Sequence, residues 1–76
     1  GSLVAVLANE PGSLADVTKI ISLNDGNISN IQVFSRDLDY YKFNIDLEVK
    51  NITHLNQIIA AMRLSEFVES VERGKD

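Results

Sequence analysis

The side chains able to carry out catalysis are few in this chain of 76 residues. The chain has no cysteine and one histidine, His54, so it offers neither a thiolate nucleophile nor a thiolate metal site. His54 falls on the polar side of a predicted helix, without a neighbouring group to orient it. The pattern predicts a solvated surface histidine rather than a general base.

Carboxylates are more numerous, with 11 Asp and Glu residues, but their spacing suits solvation. Seven of them fall in a turn, on the polar face of one strand and around the last strand. The three groups are Asp37 with Asp39, Asp46 with Glu48, and Glu66 with Glu69 and Glu72. None has the spacing of a calcium loop. The sequence therefore predicts no catalytic residues, no metal site and no cofactor.

Charge and hydropathy limit the classes of partner that this chain is expected to bind. The net charge is -4 and the seven Lys and Arg residues are scattered, so repulsion from phosphates disfavours direct nucleic-acid binding. No apolar run approaches the roughly 20 residues needed to span a bilayer, and Leu3 to Ala8 lacks the charged start and the length of a signal peptide. We expect a cytoplasmic protein with no membrane partner, since the lack of cysteine suits a reducing compartment.

Hydrophobic periodicity predicts the first three elements. Residues 3–8 form an almost wholly apolar run, typical of a strand buried on both faces in the middle of a sheet. A helical stripe begins at Leu14, with Ser13 and Asp16 as a capping box, and Gly26 is expected in the left-handed conformation after the helix. Residues 27–36 predict a second strand, with a bulge where the alternation slips after Ile28.

The second half of the chain predicts the same kinds of element. Residues 40–49 alternate as a strand with one face in the core. A second amphipathic helix follows a cap at Asn51 or Thr53, and residues 67–71 mark a last short strand before a frayed end at residues 74–76.

The order β-α-β-β-α-β and the short length predict one α+β domain over residues 1–76, expected to be excised from a larger chain. Its simplest packing is the ferredoxin-like fold, a four-stranded antiparallel sheet with both helices on one face. Other proteins of this fold need features that are missing at the corresponding positions. Copper chaperones need a Cys-x-x-Cys pair in the first loop, RNA-recognition domains need aromatic residues with basic neighbours on the open sheet face, and acylphosphatases need an arginine in that loop.

The loop Asn9-Glu10-Pro11-Gly12 joins the first strand to the first helix. Proline holds Glu10 extended and Gly12 frees the backbone, so the loop presents the N–H groups at the positive end of the helix dipole. A carboxylate fits there, and the amide of Asn9 offers a donor and an acceptor to a free amino acid. Asn27, at the start of the neighbouring strand, is a second amide expected to reach the same space. The alternative is that these residues only form turns and caps.

The run Val6 to Val17, VLANEPGSLADV, followed by Gly26-Asn27-Ile28, resembles an ACT domain, the amino-acid-sensing module appended to metabolic and signalling enzymes. The resemblance covers nearly the whole chain. It implies a ligand site near the first loop and two copies associating through sheet edges or helices, with the ligand held between them. The site would be lined by Asn9, Glu10, Pro11, Gly12, Ser13, Leu14, Asn27 and Ile28.

A narrower resemblance concerns the second half of the chain. Residues 54–59, HLNQII, with residues 68–73, are similar to the C-terminal ACT domain of RelA/SpoT enzymes, which make and break guanosine tetraphosphate in the bacterial stringent response. Those domains usually carry an acid and a basic residue before Pro-Gly, where this chain has Asn9 and Glu10. Asn9 and Asn27 instead match the two asparagines that grip serine in the ACT domain of phosphoglycerate dehydrogenase.

Two hypotheses from different functional classes follow. In the first, the domain is a regulatory sensor of a free amino acid that works with the catalytic domains of its parent chain, either a RelA/SpoT enzyme or a serine-regulated biosynthetic enzyme. In the second, it is a ligand-free docking module of a RelA/SpoT enzyme, which an exposed apolar patch would favour.

Overall fold

The computed structural model describes residues 1–74, and the six predicted elements occur in the predicted order. They are β1 (Ser2–Ala8), α1 (Ser13–Leu23), β2 (Asn27–Arg36), β3 (Tyr40–Glu48), α2 (Ile52–Met62) and β4 (Val68–Arg73). The strands form one antiparallel sheet in the order β2-β3-β1-β4. The α+β ferredoxin-like prediction is confirmed. Within residues 1–74, neither helix is long and apolar enough to cross a membrane.

The core lies between the helices and one face of the sheet. The buried apolar side chains come from alternate strand positions and from one stripe of each helix, as the periodicity predicts. They are Leu3, Ala5, Leu7, Val17, Ile21, Phe43, Ile45, Leu47, Leu55, Ile58, Ile59, Met62 and Val71. Val4 and Val6 are only half-buried, so the prediction that β1 is buried on both faces is wrong. Both helices cover the same face, and the other face of the sheet stays open.

The predicted capping box at the start of α1 is also wrong. Gly12 is the N-cap with φ 87°, and no side chain within residues 1–74 caps the helix. Ser13 belongs to the helix and is buried, while the Asp16 carboxylate accepts a hydrogen bond from Ser65 Oγ at 2.6 Å. Because Asp16 is held by the connection between α2 and β4, it does not reach back to the helix start.

The turn after α1 differs from the prediction in which residue is left-handed. Asp25 has φ 63°, and Gly26 does not have a positive φ. A Cβ atom on Gly26 would lie 2.8 Å from both Ile21 Cγ2 and Ile58 Cδ1. Glycine is therefore needed here because the chain passes close to both helices.

The bulge after Ile28 is confirmed, since Ser29 is left over between the pairs Ile28 with Leu47 and Asn30 with Asp46. A second bulge leaves Phe34 unpaired between Val33 and Ser35. At the other end of the chain, Gly74 N–H donates to the Ser2 carbonyl at 2.9 Å, so Gly74 is not part of a frayed end. Residues 75 and 76 of that predicted end lie outside the described residues.

The prediction that His54 is a solvated surface histidine is wrong. Only 9% of its surface is exposed, and its ring links the turn after α1 to the start of α2. Asn51 is the N-cap of α2, as one of the two predicted caps, and its Oδ1 accepts from His54 N–H at 2.9 Å. His54 Nδ1 accepts from Lys50 N–H at 3.0 Å, and Nε2 lies 2.6 Å from the Asn24 carbonyl oxygen. Since Nδ1 accepts, Nε2 carries the proton and donates to Asn24. The helical pattern alone did not show that the turn after α1 covers this position.

Replacing His54 by alanine leaves the Asn24 carbonyl and the Lys50 N–H without their partner. We expect the free energy of unfolding to fall by about 1–3 kcal/mol, measured by urea denaturation. Gln57→Ala, an exposed position on the same helix, is the control and should change it by no more than about 0.5 kcal/mol. Equal unfolding midpoints for the two variants would contradict a stabilising role for the hydrogen bonds of His54.

Candidate functional site

The loop between β1 and α1 leaves the helix start open. Ser13 N–H donates to the Glu10 carbonyl at 3.2 Å, and Gly12 carries the positive φ that reverses the chain. A Cβ atom on Gly12 would have no heavy atom within 4 Å, so glycine is required for its conformation and not for space. With no side-chain cap on α1, the N–H groups of Leu14 and Ala15 point outward from the positive end of the helix.

Asn9 ties this loop to the turn between β2 and β3. Its backbone N–H donates to the Asp39 carbonyl and its side-chain Nδ2 to the Asp37 carbonyl, both at 2.8 Å. Within residues 1–74, the Asn9 Oδ1 atom accepts no hydrogen bond. The turn is closed by the Asp37 carboxylate, whose Oδ1 accepts from Tyr40 N–H at 2.7 Å and from Asp39 N–H at 2.9 Å. The Asn9 amide is thus partly used to fix the neighbouring turn.

A cleft of about 210 Å³ lies beside the helix start. It is lined by Leu14, Val33, Arg36, Tyr41 and Phe43. The Tyr41 and Phe43 rings meet edge to face with centroids 5.8 Å apart, and the Arg36 guanidinium lies 6.0 Å from the Tyr41 centroid. The cleft therefore combines an apolar wall with one cation.

Arg36 was not among the predicted site residues, although the sequence shows it at the end of a strand. The cleft forms only where α1, β2 and β3 meet, and no local pattern brings these three elements together. Of the predicted residues, the six from Asn9 to Leu14 lie together at this end of the domain, and the Ser13 side chain is buried.

Asn27 and Ile28 lie at the other end of the sheet. Asn27 pairs with Glu48, the last residue of β3, and its Nδ2 donates to the Glu48 carboxylate, whereas Asn9 bonds to the turn that precedes β3. The nine residues of β3 span about 26 Å at a rise of roughly 3.3 Å per residue. The prediction that Asn27 reaches the space beside Asn9 is therefore wrong within one protomer. The reason is the position of β2, which begins where α1 ends and is separated from β1 by β3.

Comparison with known proteins identifies the class to which this fold and loop belong. Residues 2–73 match the ACT domain family, and the chain belongs to that family. It is 40% identical over 65 residues to the GTP pyrophosphokinase rsh of Brucella ovis and, at the same identity, to that of Brucella melitensis. Each alignment covers 86% of this chain and 9% of the relative, so the chain spans about a tenth of the length of these curated relatives.

Solved structures give the same family. The crystal structure of the ACT domain from GTP pyrophosphokinase of Chlorobium tepidum matches with a TM-score of 0.80 and 27% identity, covering 96% of this chain and 94% of that one. A homoserine dehydrogenase from Thiobacillus denitrificans shares the fold, with a TM-score of 0.72 and 23% identity over 95% of this chain and 16% of its own. The ACT assignment and the likeness to RelA/SpoT domains are confirmed. The chain is a regulatory domain of that type.

The turn closed by Asp37 makes the folding stability of the domain depend on pH, and the direction of the change can be predicted. Hydrogen bonds from the backbone N–H of Tyr40, and then of Asp39, lower the pKa of Asp37 below its ordinary value of 3.8. Because the folded-state pKa is depressed, this stabilisation is complete above the unfolded-state pKa and is lost as pH falls through the folded-state value.

Asp37→Asn keeps an acceptor oxygen but cannot titrate. We expect the stability difference between wild type and Asp37→Asn to shrink between neutral pH and about pH 2, measured by urea denaturation. A difference that stays constant over this range would contradict the assignment.

Proposed function

We propose that this ACT domain is the amino-acid-sensing regulatory domain of a stringent-response enzyme that makes or breaks guanosine tetraphosphate in the cytoplasm. The similarity to GTP pyrophosphokinases from Brucella and Chlorobium tepidum supports the parent enzyme. The domain works with the catalytic domains of that chain by changing their activity when a ligand binds. It performs no reaction itself.

One observation carries the sensing proposal, namely an uncapped helix start beside a cleft that contains an arginine. The ligand carboxylate accepts from the N–H groups of Leu14 and Ala15, at the positive end of α1. Arg36 lines the adjoining cleft and supplies a charge-assisted hydrogen bond to the same carboxylate.

The remaining groups favour one class of amino acid. The Asn9 Oδ1 atom, unbonded within residues 1–74, accepts from the ligand ammonium. The side chain enters the cleft, where Leu14, Val33 and Phe43 offer apolar surface. A serine hydroxyl would lose its water there without gaining a partner. We therefore expect an aliphatic amino acid rather than serine, despite the match of Asn9 and Asn27 to a serine-binding pair.

Titration calorimetry with the twenty amino acids tests the proposal. We expect at least one aliphatic amino acid to bind more tightly than ~1 mM, which corresponds to about 4 kcal/mol. Arg36→Met should weaken this binding by roughly tenfold or more, because a hydrogen bond to a charged group contributes about 1.5–3 kcal/mol.

The matched control is Lys42→Met, which removes an exposed cation from the open face of the sheet, away from the cleft. It should leave the affinity unchanged. Absence of binding by every amino acid contradicts the sensing role, and equal affinities for the Arg36 and Lys42 variants contradict the proposed binding mode.

A docking module is the second candidate, favoured by exposed leucines. Leu38, in the turn between β2 and β3, is 92% exposed, and Leu64, in the connection between α2 and β4, is 88% exposed. Both connections lie at the same end of the sheet, since Asn9 N–H bonds to Asp39 and Ala8 N–H bonds to Phe67. A partner domain covering both leucines would bury apolar surface next to the ligand loop. If no amino acid binds in the calorimetric titration, the docking module becomes the favoured function.

A further inference from the structure

A second cleft, of about 310 Å³, lies between the end of α1 and the start of α2. It is lined by Leu23, Asn24, Asp25, Lys50, Asn51, Thr53, His54 and Gln57. Leu23, the last residue of α1, is 72% exposed, and Ile52, the first residue of α2, is 48% exposed. Because α1 begins at the loop that contains Asn9, the second cleft lies at the other end of this helix from the candidate ligand site.

The helix that forms one wall of the second cleft has an uncharged outer surface. The sequence of α2 contains no Asp, Glu, Lys or Arg residue. Its exposed positions are Ile52, Thr53, Asn56, Gln57 and Ala60. Surface helices commonly carry charged residues on the side that faces water, whereas charged residues are depleted where a surface is covered by a partner. The composition of α2 therefore favours a covered surface.

The polar groups of the second cleft suit a polypeptide. Thr53 and Gln57 are exposed, and their hydroxyl and amide groups both donate and accept hydrogen bonds. Among the described residues, the charged side chains that line the cleft are Asp25 and Lys50, which have opposite signs and do not select an ion of either charge. Donors and acceptors beside an exposed leucine match the backbone and the apolar side chains of a peptide segment.

The direction of β1 shows which segment of chain lies nearest. Gly1 and Leu47 exchange hydrogen bonds at 3.0 and 2.8 Å at the start of the antiparallel pair β1 and β3. Since antiparallel strands run in opposite directions, chain that precedes Gly1 is directed toward Val49 and Lys50. A Cβ atom on Gly1 would lie 3.1 Å from Leu55 Cδ2, so this point of the chain is already beside α2.

The reach of a short segment is sufficient to cover the second cleft. Under the proposed function the domain belongs to a longer chain, and the aligned region makes up 9% of the curated relatives. The 11 residues of α2 extend over about 16 Å at a rise of roughly 1.5 Å per residue. About ten extended residues span up to roughly 35 Å, which is more than the length of this helix.

We propose that the segment of the parent chain immediately before Gly1 packs in the second cleft, between the end of α1 and the start of α2. Its backbone forms hydrogen bonds with polar side chains of the cleft, Thr53 among them, and its apolar side chains cover Leu23 and Ile52. This inference rests on the proposed function, because it requires the parent chain, and it names the surface through which the domain contacts that chain.

Thiol labelling tests whether the second cleft is covered, because the 76 residues contain no cysteine. Gln57→Cys places a thiol at an exposed position of the cleft. Alkylation by iodoacetamide is followed by mass spectrometry of the labelled peptide, in the isolated domain and in the parent chain. We expect the rate at position 57 to be lower in the parent chain by roughly tenfold or more, because labelling there requires the segment to detach.

Leu38→Cys is the control, at a position that is 92% exposed in the turn between β2 and β3, at the opposite end of the sheet. Its labelling rate should be the same in the isolated domain and in the parent chain. Equal rates at position 57 in the two proteins, or equal protection at positions 57 and 38, overturn the inference.

Photo-crosslinking identifies what covers the second cleft. Leu23 is replaced in the parent chain by p-benzoylphenylalanine, and the cross-linked peptides are mapped by mass spectrometry. We expect cross-links within one chain to the stretch of about ten residues before Gly1. A mixture of ¹⁵N-labelled and unlabelled chains distinguishes cross-links between copies. Cross-links to a second copy, to a distant part of the parent chain, or to no peptide at all overturn the inference.

Calorimetry on the same proteins separates this inference from the proposed function. Amino-acid binding together with equal labelling rates at position 57 overturns the packing of the preceding segment and leaves the sensor standing. Protection of position 57 without amino-acid binding supports the packing of that segment and contradicts the sensor.

Discussion

The start of α1 is the constraint on which the functional account depends. Gly12 adopts a left-handed conformation and no side chain within residues 1–74 caps the helix, so its first N–H groups remain available. Stability alone would favour a cap, since Ser or Asp at such a position is worth about 1 kcal/mol. The candidate caps are used elsewhere, with Ser13 drawn into the helix and Asp16 bonded to Ser65. Among the described residues, the helix end is thus left without a side-chain partner, and the sensing proposal rests on this observation.

The surroundings of the helix end include residues of the edge strand β2 and of the turn that follows it. Asn9 bonds to the turn that follows β2, and the cleft beside the helix contains Val33 and Arg36 from β2 itself. A ligand bound there, as proposed, would contact the edge strand β2. Under the proposed function, the ligand changes the activity of the catalytic domains through its differential affinity for their arrangements. Such coupling gives a regulatory domain its output without any catalytic group.

The sequence predicted best what depends on short-range periodicity. The alternation around Phe43, Ile45 and Leu47 marked the core face of β3, because a strand with one buried face repeats every two residues. The same reasoning found the bulge after Ile28 and the order of the elements. Prediction failed where a distant segment covers a local pattern, as at His54, which looked polar along the helix and is buried by the turn at Asn24.

The candidate site shows the same contrast between features set by local sequence and features set by long-range packing. The loop from Asn9 to Gly12 could be predicted because Pro-Gly chemistry is local, whereas Arg36 enters the cleft only through the packing of three elements. The position of Asn27 could not be predicted from local patterns, because β3 lies between β1 and β2 in the sheet and Asn27 pairs with the far end of β3.

The most direct measurement is a titration of the ¹⁵N-labelled chain with an aliphatic amino acid, followed by amide chemical shifts. The account predicts that the largest changes occur at the backbone N–H groups of Leu14 and Ala15 and at the side-chain N–H of Arg36, because these donate to the bound carboxylate. Changes confined to other parts of the domain, with these three signals unmoved at saturation, would contradict it.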